Sequence, residues 1–223
     1  FSAIPEFERW TFKPRLFFKG ANSESVFGFS VITEDRLGGN LNHIDGRRLH
    51  PTYFEGSDTT RISTQFEHIK QLSSGREFVL RNSVSRFDRK LKIPMFSFAG
   101  TQTSSFSEMH ILGTNENVDW VLGVNLLTED FEQDNPLLGL AHDFSGYTTG
   151  IFAQLTMPIS SRWMLESGLR LDHTSAYGTF VLPRVALMYN ISEDSTLRIG
   201  GGLGYKEPTL FTQESDALHF LNI

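Results

Sequence analysis

Residues 162–172 read RWMLESGLRLD. Trp163, Leu165, Ser167, Leu169 and Leu171 fall on one side of a two-residue repeat, and Arg162, Met164, Glu166, Gly168, Arg170 and Asp172 on the other. On an α-helix these residues would mix around the surface. On a strand, where successive side chains point to opposite faces, they separate into an oily face and a charged face. Working outward, 118–128 repeats the pattern, with Val118, Trp120, Leu122, Val124 and Leu126 against Asp119, Val121, Gly123 and Asn125. So do 147–157, 196–206 and the stretch near the start, where Trp10, Phe12, Pro14, Leu16 and Phe18 oppose Arg9, Thr11, Lys13 and Arg15. Weaker alternation predicts strands at about 25–35, 59–69, 76–88, 103–112 and 179–189. The expectation is ten strands, most of about ten residues or longer. Ordinary strands have a mode of about five to six residues, whereas a tilted strand crossing a bilayer needs about nine to eleven.

The connections point the same way. Short links at GANSE after Lys19, 72–75, 113–117, 158–161 and 192–195 alternate with long ones expected at 36–58, about 89–102 and 129–146; the exception is 173–178. Short turns on one side and long loops on the other are the habit of outer-membrane barrels, whose short turns face the periplasm. With that orientation Trp120, Trp163 and Tyr189 fall at periplasmic ends, and Trp10, Tyr147 and Tyr205 at extracellular ends, as an aromatic belt at each interface would have them. A basic group at the bilayer midplane costs about 2–4 kcal/mol. The oily face must therefore meet lipid, and the charged face (Arg9, Lys13, Arg15, Arg61, Glu67, Arg81, Glu166, Arg170, Arg184, Arg198) a wet lumen.

Composition agrees. The 223 residues carry 20 Lys+Arg against 26 Asp+Glu, a net charge of −6, so no nucleic-acid partner is expected. Only 39% are hydrophobic, yet 20 are Phe, so the apolar residues must be spread in an ordered pattern. There is no cysteine, which excludes disulfides, Cys–zinc sites and thiol nucleophiles. No apolar run is long enough for a transmembrane helix. The opening FSAIPEFERW has no signal-peptide pattern, and both ends read as cuts inside something longer.

The last third carries a more specific signal. Gly168, Arg170 and Asp172 end one strand; Phe180, Pro183, Arg184 and Leu187 follow; then Thr196 and Arg198, and finally Gly202, Gly204, Tyr205, Lys206, Pro208, Thr209 and Leu210. This ordered series resembles the barrel of TonB-dependent outer-membrane receptors. The stretch beginning RWTFKPRLFF also resembles a receptor hairpin. The resemblance implies an all-β fold, an antiparallel up-and-down transmembrane β-barrel of which this chain supplies about ten of 22 strands. It implies that 1–223 is part of one such barrel domain, without the plug. It implies a bacterial outer-membrane receptor, not an enzyme, that imports a scarce ligand (ferric siderophore, haem, cobalamin, or a glycan or peptide fragment) with TonB energy. The implied partners are outer-membrane lipid, the TonB complex through the plug and a small-molecule or metal-chelate ligand; a surface lipoprotein is also admitted. No resident cofactor or metal is implied.

The outer loops hold the candidate ligand contacts: His43, His50, Tyr53, His142 and Asp143. Imidazoles there could hold haem iron or another metal; the plainer reading is a hydrated surface loop. The acidic run at 129–134 could hold calcium but lacks EF-hand spacing. Asp172–His173 and His142–Asp143 are sequence neighbours, which on a strand point to opposite faces and make poor catalytic pairs. GGGLG at 200–204 looks like a nucleotide loop but sits inside an alternating strand; its glycines suit close approach of a neighbouring backbone. Two rivals stand beside the receptor reading. One is a complete ten-stranded outer-membrane protease, the other a soluble glycan-binding β-sandwich with an apolar interior.

Overall fold

The computed structural model describes residues 2–41, 53–134 and 143–207. These form one antiparallel sheet of eleven strands. They are β1 (Ser2–Phe12), β2 (Arg15–Lys19), β3 (Ser23–Gly39), β4 (Phe54–Gln71), β5 (Glu77–Ile93), β6 (Phe96–Asn115), β7 (Val118–Asp134), β8 (Phe144–Pro158), β9 (Trp163–Thr174), β10 (Gly178–Ser192) and β11 (Ser195–Gly202). Each pairs with the next in the chain, except that β1 and β2 both pair with β3. They are the two halves of the first expected strand. The register does not slip across Lys13–Pro14, since Phe12 faces Val31 and Arg15 faces Gly28. Pro14 has no N–H to give the ladder, but its carbonyl still accepts from the Phe29 amide at 3.1 Å.

Register sorts the side chains into two faces. One row runs Leu80, Met109, Val124, Ile151, Leu171 and Val181 across six strands. The ten expected lumen charges all fall on the other face. Burial then says which face is the inside of the curve. Val79, Phe131, Ala186, Ser57, Asn125, Asp172 and Thr174 are buried, and all seven lie on the charged face. Crowding of this kind belongs to a concave surface. The apolar face stays open, with Ile199 71%, Leu122 60% and Leu169 48% exposed. Nothing among the described residues packs over it, so a sandwich with an apolar interior is excluded. The chain is an arc of a barrel whose oily face meets lipid.

Three features differ from the expectation. The stretch 89–102 is not a loop: β5 and β6 run on to a two-residue turn at Pro94–Met95. Proline fixes its own φ, and Met95 takes φ 66°, the pattern of a type II turn. Likewise β3 reaches Gly39, β4 starts at Phe54, β7 reaches Asp134 and β8 starts at Phe144, so the links at 36–58 and 129–146 are much shortened. The tidy sorting of loop lengths is correspondingly weaker. Third, Tyr205 is not on an outer aromatic belt. The chain leaves the ladder after Gly202, and Tyr205 folds over the inner face to stack on Phe180, 4.2 Å between ring centres. Trp10, Trp120, Tyr147, Trp163 and Tyr189 do lie on the outer face, and the last two touch at 4.5 Å.

Polar side chains also occur on the outer face of β3 to β7, and they pair across strands. Ser25 Oγ and His68 Nδ1 lie 2.8 Å apart, Asn82 donates to Ser107 Oγ at 2.9 Å, and Ser105 and Thr128 hydroxyls meet at 2.7 Å. In contact with lipid an unpaired polar group would cost several kcal/mol, so mutual satisfaction is the condition for their being there.

Candidate functional site: the inner wall

Most inner-wall charges are spent on one another. Glu166 accepts from Arg184 at 3.3 Å and Arg198 at 2.5 Å. Arg81 binds Glu67 at 2.7 Å and lies 3.7 Å from Glu108, whose other neighbour is His110 at 3.2 Å. Arg9 pairs with Glu34. Buried Asp172 accepts at Oδ2 from Arg170 Nε at 2.9 Å and from the Tyr205 hydroxyl at 3.1 Å, while Arg170 Nη2 donates to Asn125 at 3.1 Å. That network needs Gly150, because a Cβ there would lie 2.4 Å from the Asp172 carboxylate.

Some inner-wall cations are not spent in this way, Arg89 on β5 among them. Lys13, Arg15 and Arg61 converge on a cavity of about 260 Å3 with Ser30, Ser63 and Gln65, and none of the three forms an ion pair among the described residues. Gly28 floors it; the nearest atoms to a Cβ there would belong to Gln65 and Arg15. Arg61 also lies over the Phe87 ring at 4.6 Å, on the adjacent strand. Phe87 opens a run of rings toward the extracellular end. Phe98 stacks on Phe131 at 6.2 Å and Phe131 on Phe144 at 5.6 Å, so that β6, β7 and β8 each give one. With Arg89, Gln102 and Glu129 they surround a second cavity of about 240 Å3. Gly100 makes room, since a Cβ there would sit 2.7 Å from the Phe131 ring. A third cavity of about 490 Å3 adjoins it at the rim, sharing Glu129 and Phe144 and reaching Tyr177 and Glu207. Arg61 thus joins an uncompensated cation cluster to an aromatic wall. Such a surface attracts anions and stacks flat groups.

Of the five loop candidates, His43, His50 and His142 lie outside the described residues. Tyr53 stands just before β4, its hydroxyl 3.5 Å from Glu55. Partial burial, and then the Glu55 carboxylate beside it, push the Tyr53 phenol above its ordinary range. Asp143 precedes β8 and accepts from the Gln133 amide at 2.7 Å, tying the β7–β8 hairpin. Two whole strands separate the two hairpins, and the structure does not bring Tyr53 and Asp143 together. Among the described residues no His, Asp and Glu gather into a metal-binding group. The Asp172–His173 neighbours point apart: Asp172 is buried inside, and His173 turns outward to Thr179 at 3.0 Å. The sequence reading placed Arg61, Lys13 and Arg15 on the inner wall but missed the aromatic run. Extending the alternation of 118–128 by three residues would have put Phe131 there.

A family model described as TonB dependent receptor-like, beta-barrel matches residues 8–217, and the chain belongs to that family. The members are outer-membrane transport receptors of Gram-negative bacteria, not enzymes, so the protease reading is not favoured. The siderophore receptor PirA from Pseudomonas aeruginosa is similar at 14% identity and TM-score 0.69, over 92% of this chain and 35% of that one. A mutant of the ferric enterobactin receptor PfeA from the same organism is similar at 15% identity and TM-score 0.70, over 91% and 34%. The copper transporter OprC is similar at 13% identity and TM-score 0.69, over 89% and 36%. No match was found among curated proteins. The chain therefore spans about a third of the length of these solved receptors.

Proposed function

We propose that 1–223 is part of one receptor barrel domain whose inner wall guides an anionic, ring-bearing metal chelate into the outer-membrane importer, which takes it up with TonB energy. The observation that carries this is the junction at Arg61. Free cations at Lys13, Arg15 and Arg61 adjoin the Phe87, Phe98, Phe131 and Phe144 wall. PirA and PfeA carry siderophore and ferric enterobactin in their names, which supports this cargo class over a glycan or peptide. His43, His50, Tyr53, His142 and Asp143 are proposed as outer-loop contacts that meet the ligand first. The TonB complex, reached through a plug, is the proposed energy partner; a surface lipoprotein is a second.

The test uses the full-length receptor in cells with and without TonB. Uptake of radioactive iron is followed from a ferric tris-catecholate, a ferric hydroxamate and haemin. TonB-dependent uptake of at least one, weakened about tenfold or more by Arg61→Ala or Phe131→Ala, is expected; tenfold is ~1.4 kcal/mol. Uptake indifferent to TonB, or to both substitutions for every probe, would sink the reading.

A further inference from the structure

The cavity of about 490 Å3 at the extracellular rim is lined by Glu129, Phe144, Thr148, Tyr177 and Glu207 among others, and by no lysine, arginine or histidine. Three pieces of chain build it. Pairing of β7 with β8 sets Glu129 opposite Gly146, which puts no side chain beside the carboxylate, and Phe131 opposite Phe144. The β9–β10 turn brings Tyr177. Its amide donates to Thr174 Oγ1 at 2.9 Å, the Ser175 amide donates to the Tyr147 carbonyl at 2.9 Å, and the Ser175 hydroxyl accepts from the Tyr147 amide at 3.0 Å. Glu207 arrives on the chain that leaves the ladder after Gly202. That chain is held by the Leu203 amide on the Pro183 carbonyl at 3.0 Å, then by Tyr205 on Phe180 and Asp172.

The two carboxylates are not neutralised. Neither side chain forms an ion pair or hydrogen bond among the described residues, and Glu207 Oε1 is enclosed by protein with no donor to it. Lys206, next in the chain, is exposed and does not pair with Glu207. Arg89 lines the neighbouring cavity together with Glu129 but forms no ion pair with it. An enclosed carboxylate oxygen is costly unless something donates to it, and a charged donor serves best. A bare metal ion does not suit the place. Among the described residues no His, Asp and Glu gather into a metal-binding group, and the cavity is far larger than an ion. An ammonium or guanidinium on a carbon frame does suit it. The carboxylates accept its N–H groups, and the Phe144 and Tyr177 rings offer their negative faces to its charge.

We infer that the rim cavity is a binding site for an organic cation, a primary ammonium or guanidinium carried on a ring or hydrocarbon chain, held by Glu129 and Glu207 against the Phe144 and Tyr177 rings. The site rests on the reading proposed above for its place on the ligand path, and it gives the cargo a second pole. The anionic chelate goes to the cations around Arg61, and a cationic arm goes to the rim.

Full-length receptor, purified in an uncharged detergent, is titrated with dansylcadaverine, a ring-bearing primary amine. The N-acetylated form, which keeps ring and chain but loses the charge, is titrated beside it. Fluorescence anisotropy reads the binding. The amine should bind at least about tenfold more tightly than the acetylated form, and less so at high salt. Glu129→Gln/Glu207→Gln should bring the two forms within about twofold of each other. Arg61→Ala, which strikes the cation cluster instead, should leave the preference unchanged. Heat-modifiable gel mobility shows whether each variant is folded; if the double variant is not, Glu207→Gln alone should reduce the preference in the same direction. Equal binding of the two forms by the parent, weak or strong, overturns the inference, and so does a preference that survives the carboxylate substitutions. An amine preference that depends on Glu129 and Glu207, found beside uptake that ignores TonB and Arg61, upholds the cation site and sinks the chelate reading alone.

Discussion

Placing a cation on the lipid side at Leu169 tests the assignment on which the rest depends. Leu169 lies between Ala153 and Pro183 on the outer face and is 48% exposed on the bare arc. It stands six residues along β9 from Trp163, whose ring pairs with Tyr189 at the periplasmic belt. Six residues of tilted strand rise roughly 15 Å, which puts Leu169 near the middle of a band ~25 Å tall. Leu169→Arg should then cost about 2–4 kcal/mol, a roughly 30- to 800-fold shift in the folding equilibrium constant. The control is Gln154→Arg. Gln154 faces Gly168 and Val121 on the inner wall, where water reaches, and the change should stay within about 0.5 kcal/mol. Both are measured on the full-length receptor folded into bilayer vesicles, by denaturant titration of tryptophan fluorescence with gel mobility as a check. A neutral Leu169→Arg beside a costly Gln154→Arg would invert the faces and refute the reasoning.

Other consequences are more local. Arg170→Met leaves the buried Asp172 with Tyr205 as its remaining donor. It should cost about 2–3 kcal/mol, less than a fully enclosed pair because the Arg170 side chain is 35% exposed. Adding Asp172→Leu should recover part of that loss in the same titration. Gly123→Ala forces a Cβ to within 2.4 Å of Phe152 and 2.7 Å of His110, at a cost of about 1–3 kcal/mol, whereas Gly201→Ala meets nothing within 4 Å and should be neutral. The raised Tyr53 phenol means its neutral form is favoured in the fold; the stability this contributes is complete below the ordinary tyrosine range and disappears as pH rises through the folded value. Ultraviolet titration should show Tyr53 ionising later than an ordinary tyrosine, and earlier again in Glu55→Gln. An unchanged titration in that variant would remove the Glu55 carboxylate as a cause.

Within the bilayer the sequence was almost sufficient. There, one face of a strand meets hydrocarbon and the other meets water, so Leu169 and Arg170 could not exchange places without a penalty of several kcal/mol. The two-residue repeat records that penalty, and with it the strand positions, both faces and the inner placement of Arg61 and Arg170. Above the bilayer both faces meet water and the penalty vanishes. Asp88, Arg89, Lys90 and Lys92 are all tolerated on a ladder, alternation fades, and a paired strand cannot be told from a loop. Only the tertiary structure decided that β5 and β6 continue to Pro94–Met95 and that Phe131 stacks between Phe98 and Phe144. Pairing across strands was equally out of reach, because register is a relation between distant segments. Alternation put Glu166 and Arg198 on one face, but the alignment of β9, β10 and β11 joined them. A chain that leaves its strand after Gly202 brought Tyr205 across β10 to Asp172. Which side chain faces lipid is a local question of solvation, settled residue by residue; which cations remain unpaired is a question of three-dimensional neighbours.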